Sequence, residues 1–164
     1  MQNVKCAQLG FLFLYGVILL SMAGCSKAGG ELKGEMFIVT KGSQNIKLGA
    51  IEVRAIPLKE YRTYISARLA NDTQRDLSIN YYLDELPKGI ATTTTDSEGK
   101  FTLTLPEKDK YILAAHAQRQ LFDTTERYYW VVPVDFDPSK QPTVQLSNNN
   151  LIEPDYPYWR TLLP

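Results

Sequence analysis

Cysteine is nearly absent, and neither copy lies where a folded core would use it. Cys6 and Cys25 both fall within the first 25 of 164 residues. The rest of the chain can build neither a disulfide nor a thiolate metal site. An exported domain of this kind must hold together by its hydrophobic core, which the length allows. Histidine is rarer still. His116 stands alone, so no histidine-rich metal site or triad can be assembled, and it reads as a satisfied or partly exposed strand residue. Charge of one sign is missing too, with 18 basic and 18 acidic side chains. A balanced chain carries no electrostatic footprint for nucleic acid, and without runs of like charge it offers no patch for an anionic bilayer. No G-x-S-x-G elbow, phosphate loop or dinucleotide fingerprint occurs. Asp96-Ser97-Glu98-Gly99 lacks the alternating oxygen ligands of a calcium loop. The expectation is therefore a non-enzymatic protein with no catalytic residue, no metal and no cofactor.

Long apolar runs are scarce, and the clear one comes early. Met1 to Lys5 carries one positive charge, and Ala7 to Leu20 is almost wholly apolar. That is too short and too near the start for a comfortable spanning helix, but it has the build of a secretory signal. Ser21-Met22-Ala23-Gly24-Cys25 closes it with small residues before a cysteine. The run resembles the bacterial lipobox, with Met22 where leucine is usual. The resemblance implies a signal over 1–24, cleavage between Gly24 and Cys25, and lipid attachment, palmitate included, at Cys25. Several acyl chains at one residue hold a protein stably to a bilayer where a single chain is marginal. Ser26 follows instead of aspartate, which resembles the enterobacterial pattern for sorting to the outer membrane of a Gram-negative cell. Residues 25–35 are small, polar and glycine-rich, and read as a flexible tether.

What the chain has in plenty is strand pattern. Ile90 to Arg119 reads as three consecutive antiparallel strands joined by two tight turns. Asp96 suits the first position of a turn, and Gly99 falls where positive φ is usual. Phe101, Leu103 and Leu105 alternate with Thr102 and Thr104, the mark of a half-buried strand. Pro106 to Asp109 makes the second turn. Tyr111 to Ala117 is apolar on both faces except at His116, as in a central strand covered on both sides. The T-D-x-x-G-x-F run, the proline turn and the Y-x-L-A-A strand together resemble the transthyretin-like β-sandwich group, which includes carboxypeptidase regulatory-like and Cna-B-like modules. The resemblance spans roughly Gly34 to Leu151 and implies an antiparallel sandwich of about seven strands. It marks a fold, not an activity. Some Cna-B-like modules carry a Lys–Asn or Lys–Asp isopeptide bond, but no pair here matches that pattern.

Around this stretch, Met36 to Thr40 reads as the first strand of a domain over 36–151. Ile46 to Leu48 is a short strand, and Ile51, Val53 and Ala55 mark a third. Leu58, Tyr61, Ile65 and Leu69 recur at helical spacing. Residues 58–86 thus form a helical insertion across one sheet, with a second helical piece over Gln74 to Leu86. Gln120 to Thr125 reads as a loop. Glu126 to Asp135 is the most aromatic strand, with Tyr128, Trp130, Val132 and Val134 on one face, and Pro133 places it at an edge. Thr143 to Leu146 is the last strand, and 152–164 an aromatic, proline-rich tail. Tyr128, Tyr129, Trp130, Tyr156, Tyr158 and Trp159 are the candidate ligand-binding aromatics, since ring faces with polar tips suit sugars or proteins. Burial in the core is the competing account for the strand set. The sequence thus points to an envelope lipoprotein with an accessory, scaffold or protein-binding sandwich, or alternatively to a carbohydrate-binding module. Its partners would be the membrane through the lipid and an envelope protein or glycan, with no nucleic acid.

Overall fold

Alternation of buried and exposed side chains builds nearly every strand. The structure, a computed structural model, describes residues 29–71 and 86–152. Among them are β1 (Gly30–Val39), β2 (Asn45–Lys47), β3 (Glu52–Pro57), α1 (Leu58–Asn71), β4 (Ala91–Thr94), β5 (Lys100–Leu105), β6 (Asp109–Leu121), β7 (Thr124–Phe136) and β8 (Thr143–Leu146). In β5, Phe101, Leu103 and Leu105 are buried while Lys100, Thr102 and Thr104 are exposed. One sheet gathers β2, β5 and β8 around β1, and the other runs β4-β3-β6-β7. The two pack face to face as a β-sandwich. Leu32, Met36, Phe101, Leu103 and Leu146 come from the first sheet, and Val53, Leu113, Ala115, Trp130 and Phe136 from the second. No helix among the described residues is long and apolar enough to cross a membrane.

The Ile90–Arg119 stretch folds as strands, but not as a meander. β4 pairs with β3, β5 with β1, and β6 with β3 and β7. Its two turns are therefore corners at which the chain changes sheet. Period-two patterning fixes the face a strand buries, and both sheets bury their inner face in the same core, so the pattern leaves the neighbour open. The first corner has the chemistry expected of it. Asp96 Oδ1 accepts from the backbone of Glu98 at 2.9 Å and of Lys100 at 2.8 Å, and Gly99 sits at φ 72.

The tether gives way to structure earlier than the composition implies. β1 begins at Gly30, not Met36, because Leu32 and Met36 both reach the core while Glu31 and Lys33 lie exposed beyond them. The glycine at 34 disguises this strand, and it is there for space. A Cβ at Gly34 would run into the Phe101 ring. β8 spans the expected residues but pairs parallel to β1, from Lys33↔Thr143 to Met36↔Leu146, the one departure from antiparallel pairing among these strands.

A second cluster covers the outer face of the β4-β3-β6-β7 sheet. Tyr61 and Ile65 of α1 pack there on Ile56, Ile112, Ala114 and Val131. This explains why β6 has no polar face over most of its length. It is central in its sheet, with the sandwich core on one side and α1 on the other. The inserted helix begins at Leu58 as expected. Its second piece over 74–86 lies outside the described residues except for Leu86, which is buried. β7 is the outer strand, consistent with Pro133 lacking a ladder donor. The loop expected over 120–125 is instead a tight hairpin, with β6 and β7 paired as far as Leu121↔Thr124.

Candidate functional site

The outer face of the second sheet is only partly roofed by α1. Past the helix, the even-numbered residues of β3 and β6 and the odd-numbered residues of β7 still point outward, because side chains alternate across the sheet. Glu52, Arg54, His116 and Tyr129 thereby converge around a concavity of about 170 Å³, floored by Ala114 and walled by Leu86. The small side chain at 114 lets the depression form. Arg54 Nε donates to Glu52 Oε1 at 2.5 Å, and Arg54 Nη1 to the Leu86 carbonyl at 3.3 Å. His116 stacks flat on Tyr129, with centroids 4.5 Å apart and planes at 10°. Tyr129 is buried and His116 exposed, so the imidazole presents one face to solvent. A guanidinium, a carboxylate and an exposed ring in a shallow recess can hydrogen-bond and stack against a small polar ligand. Among the described residues, no group of three or more His, Cys, Asp or Glu could hold a metal ion.

Of the aromatics singled out in the sequence, Tyr129 supplies its ring to this recess, and Trp130 borders it only from the inner side of the sheet. Trp130 is 1% exposed, deep between the sheets, and donates its indole N–H to the Ser147 carbonyl at 3.0 Å. It cannot stack on a ligand, and its place among the candidate binding aromatics is corrected accordingly. Tyr128 is half-buried on the same inner face. Its hydroxyl donates to Glu126, and desolvation with that neighbour raises its pKa. Asp96 and Gly99 form the turn already described. Gly24, Cys25, Tyr156, Tyr158 and Trp159 lie outside the described residues, as does all of the tail except Ile152. Glu52 and Arg54 were visible in the sequence only as the polar side of an alternating strand. Nothing local distinguished them from solvated charges, since three separate strands bring the recess together.

No protein-family model matches this chain, and no curated protein matches it in sequence. Solved structures overlap it at low identity. One is a candidate carbohydrate-binding protein from Pseudomonas aeruginosa, at 17% identity over 75% of this chain and 90% of that one, with a TM-score of 0.47. Another is the major pilin subunit of Bacillus cereus, at 13% identity over 75% of this chain and 30% of that one, TM-score 0.42. A 9R-lipoxygenase from Cyanothece follows at 15% identity over 79% of this chain and 18% of that one, TM-score 0.35. Superpositions this shallow carry no argument about function, which has to come from the chain's own residues.

Proposed function

We propose that this chain is a lipid-anchored protein of the bacterial cell envelope. Its sandwich, of transthyretin-like type, would serve as a non-enzymatic binding or scaffold module on the outer membrane of a Gram-negative cell. One observation carries the reading. The run Ser21-Met22-Ala23-Gly24-Cys25 is followed by the first strand at Gly30, with residues 26–29 between. At about 3.5 Å per extended residue, acyl chains on Cys25 would hold the sandwich within roughly 20 Å of the bilayer. Metabolic labelling with an alkynyl fatty acid tests it. Label and membrane partition are expected for the native protein. Cys25→Ala or globomycin should remove the label or leave the precursor unprocessed. Unchanged processing and partition in Cys25→Ala would overturn the proposal.

A second reading, a small polar ligand such as a sugar, is favoured by the recess around Glu52, Arg54 and His116. Titration with mono- and disaccharides under amide NMR should then shift resonances along β3 and β6, and Arg54→Ala should abolish those shifts. Shifts scattered over the whole surface would count against it.

A further inference from the structure

The β6–β7 hairpin outlasts the sheet it belongs to. β3 leaves β6 after the Val53↔Ala115 rung, while β6 and β7 stay paired to Leu121↔Thr124. Ala117 is the last of the β6 residues in the core. Beyond it Gln118 to Gln120, Phe122 to Thr125 and Arg127 are all exposed. Four rungs at about 3.3 Å each give an arm on the order of 13 Å long. A lone two-stranded ribbon is marginal in water, yet this one ends on Phe122, which is 98% exposed at φ 50. A bulky residue in the left-handed region is strained, and short hairpin loops ordinarily place Asn, Asp or Gly there. The tip is nevertheless held in place. The Gln120 amide donates to the Phe122 carbonyl at 3.0 Å, and the Thr125 hydroxyl to Gln120 Oε1 at 2.6 Å. Arg119 and Arg127 balance Asp123 and Glu126 along the arm, so it is not steered toward an acidic, basic or anionic-lipid surface. It offers one ring, fixed in water by its own turn.

The same molecule carries an apolar socket. Pro57, Lys59, Glu60, Thr63, Tyr64 and Pro87 line an open groove of about 520 Å³ at the start of α1. Its rings and aliphatic stems are bordered by one cation and one anion, so the groove suits an uncharged, apolar guest. Pro57 lies beside Tyr111, ten residues along β6 from the arm's end, or roughly 33 Å of strand. Phe122 therefore cannot reach the groove of its own chain.

We propose that the arm is a self-association device, in which Phe122 of one molecule seats in the Pro57–Tyr64–Pro87 groove of another. Different patches meet, so the contact is heterologous and runs head to tail. One aromatic anchor buries 150–250 Å² at most, well below a standard interface, so association is weak in dilute solution and is promoted where molecules are confined together. The inference does not depend on the lipid anchor, and its failure would leave that reading untouched.

Sedimentation velocity of the purified full-length protein in detergent, over a concentration series, reads it directly. The native chain should show a sedimentation coefficient that rises with concentration. Phe122→Ser and Thr63→Arg, the latter placing a charged stem in the groove, should each weaken association at least tenfold. Mixed together, they should associate again but stop at dimers, since only one competent tip–groove pair remains. Phe122→Gly relieves the backbone strain and should raise the melting temperature while losing association, which separates assembly from folding. A native chain that stays monomeric throughout overturns the proposal. So does a Thr63→Arg variant that associates like the native chain, the result expected if residues 72–85 or another molecule fill the groove. A mixture that fails to form dimers overturns it as well.

Discussion

Single side chains fix the ends of the sandwich, and their effects separate by pH and by backbone. At the end where β7 leads toward β8, Asp137 accepts from Lys108 Nζ at 2.7 Å on one oxygen. Its other oxygen takes the Ser139 hydroxyl at 2.6 Å and the Ser139 N–H at 3.1 Å. The Lys108 hydrogen bond first, then Ser139, holds the Asp137 carboxyl well below the usual carboxylate range. Such a group adds stability that is complete above its unfolded value, near pH 4, and is lost as pH falls through the depressed folded value. Lys108, raised chiefly by its hydrogen bond to Asp137, acts in the opposite sense. Its contribution is complete below the ordinary lysine value and fades as pH rises through the raised one. Asp137→Asn should lower the melting temperature at pH 7 and flatten its fall between pH 5 and 2. An unchanged acid limb in melts across that range would show that the pair is idle. At the other end, Gly99 has φ 72 and a Cβ there would meet the Met36 carbonyl. Gly99→Ala is expected to cost about 1–2 kcal/mol for the left-handed backbone alone, read as a shift in the urea midpoint.

At the scale of elements, α1 and the β6–β7 pair show how far local pattern carries. The spacing of Tyr61 and Ile65 was enough to place a helix across a sheet, and both are fully buried there, at 0% and 1% exposure. Burial also pushes the Tyr61 phenol well above its ordinary pKa. Ile65→Ala should cost about 2–5 kcal/mol, the range for a buried aliphatic truncated to Ala. The Gln120–Thr125 hairpin was not legible, because Leu121-Phe122-Asp123-Thr124 has none of the Asn-Gly or Asp-Gly chemistry that announces a two-residue loop. What replaces it is a network of side-chain bonds from Gln120 and Thr125 that forms only once the strands are paired. The start of β1 was missed for a related reason. Gly29, Gly30 and Gly34 read as tether, whereas Gly34 is required by the Phe101 ring lying over it.

For the molecule as a whole, closure depends on contacts remote in sequence. β8 joins β1 across more than a hundred residues, and Asn148 caps the end of β1 by accepting from Val39 N at 2.6 Å. Leu146, fully buried, fastens β8 into the core shared by both sheets. Leu146→Ala should therefore destabilise the whole sandwich, by about 2–5 kcal/mol. Near-UV and far-UV circular dichroism should lose signal together, as in a two-state transition. If the far-UV signal survived after near-UV signal was lost, the two sheets would be separable units. With this many distant pairings, refolding in the millisecond-to-second range is expected by stopped-flow fluorescence.

Sequence alone determined where most of the strands lie, which face each buries, where the helix begins, and that Pro133 belongs at an edge, but neither the first half of β1 nor the 120–125 hairpin. Those properties follow from the two-residue and 3.6-residue periods of the backbone, which a linear string records directly. Tertiary structure alone decided that the central turns pass between sheets, that Trp130 lies in the core, and that Glu52, Arg54 and His116 share one recess. It also decided that Phe122 stands at the tip of an arm that extends past the last rung β6 makes with β3. A periodic pattern states how much a residue is buried, but strand neighbours are chosen only when two sheets close over a common core.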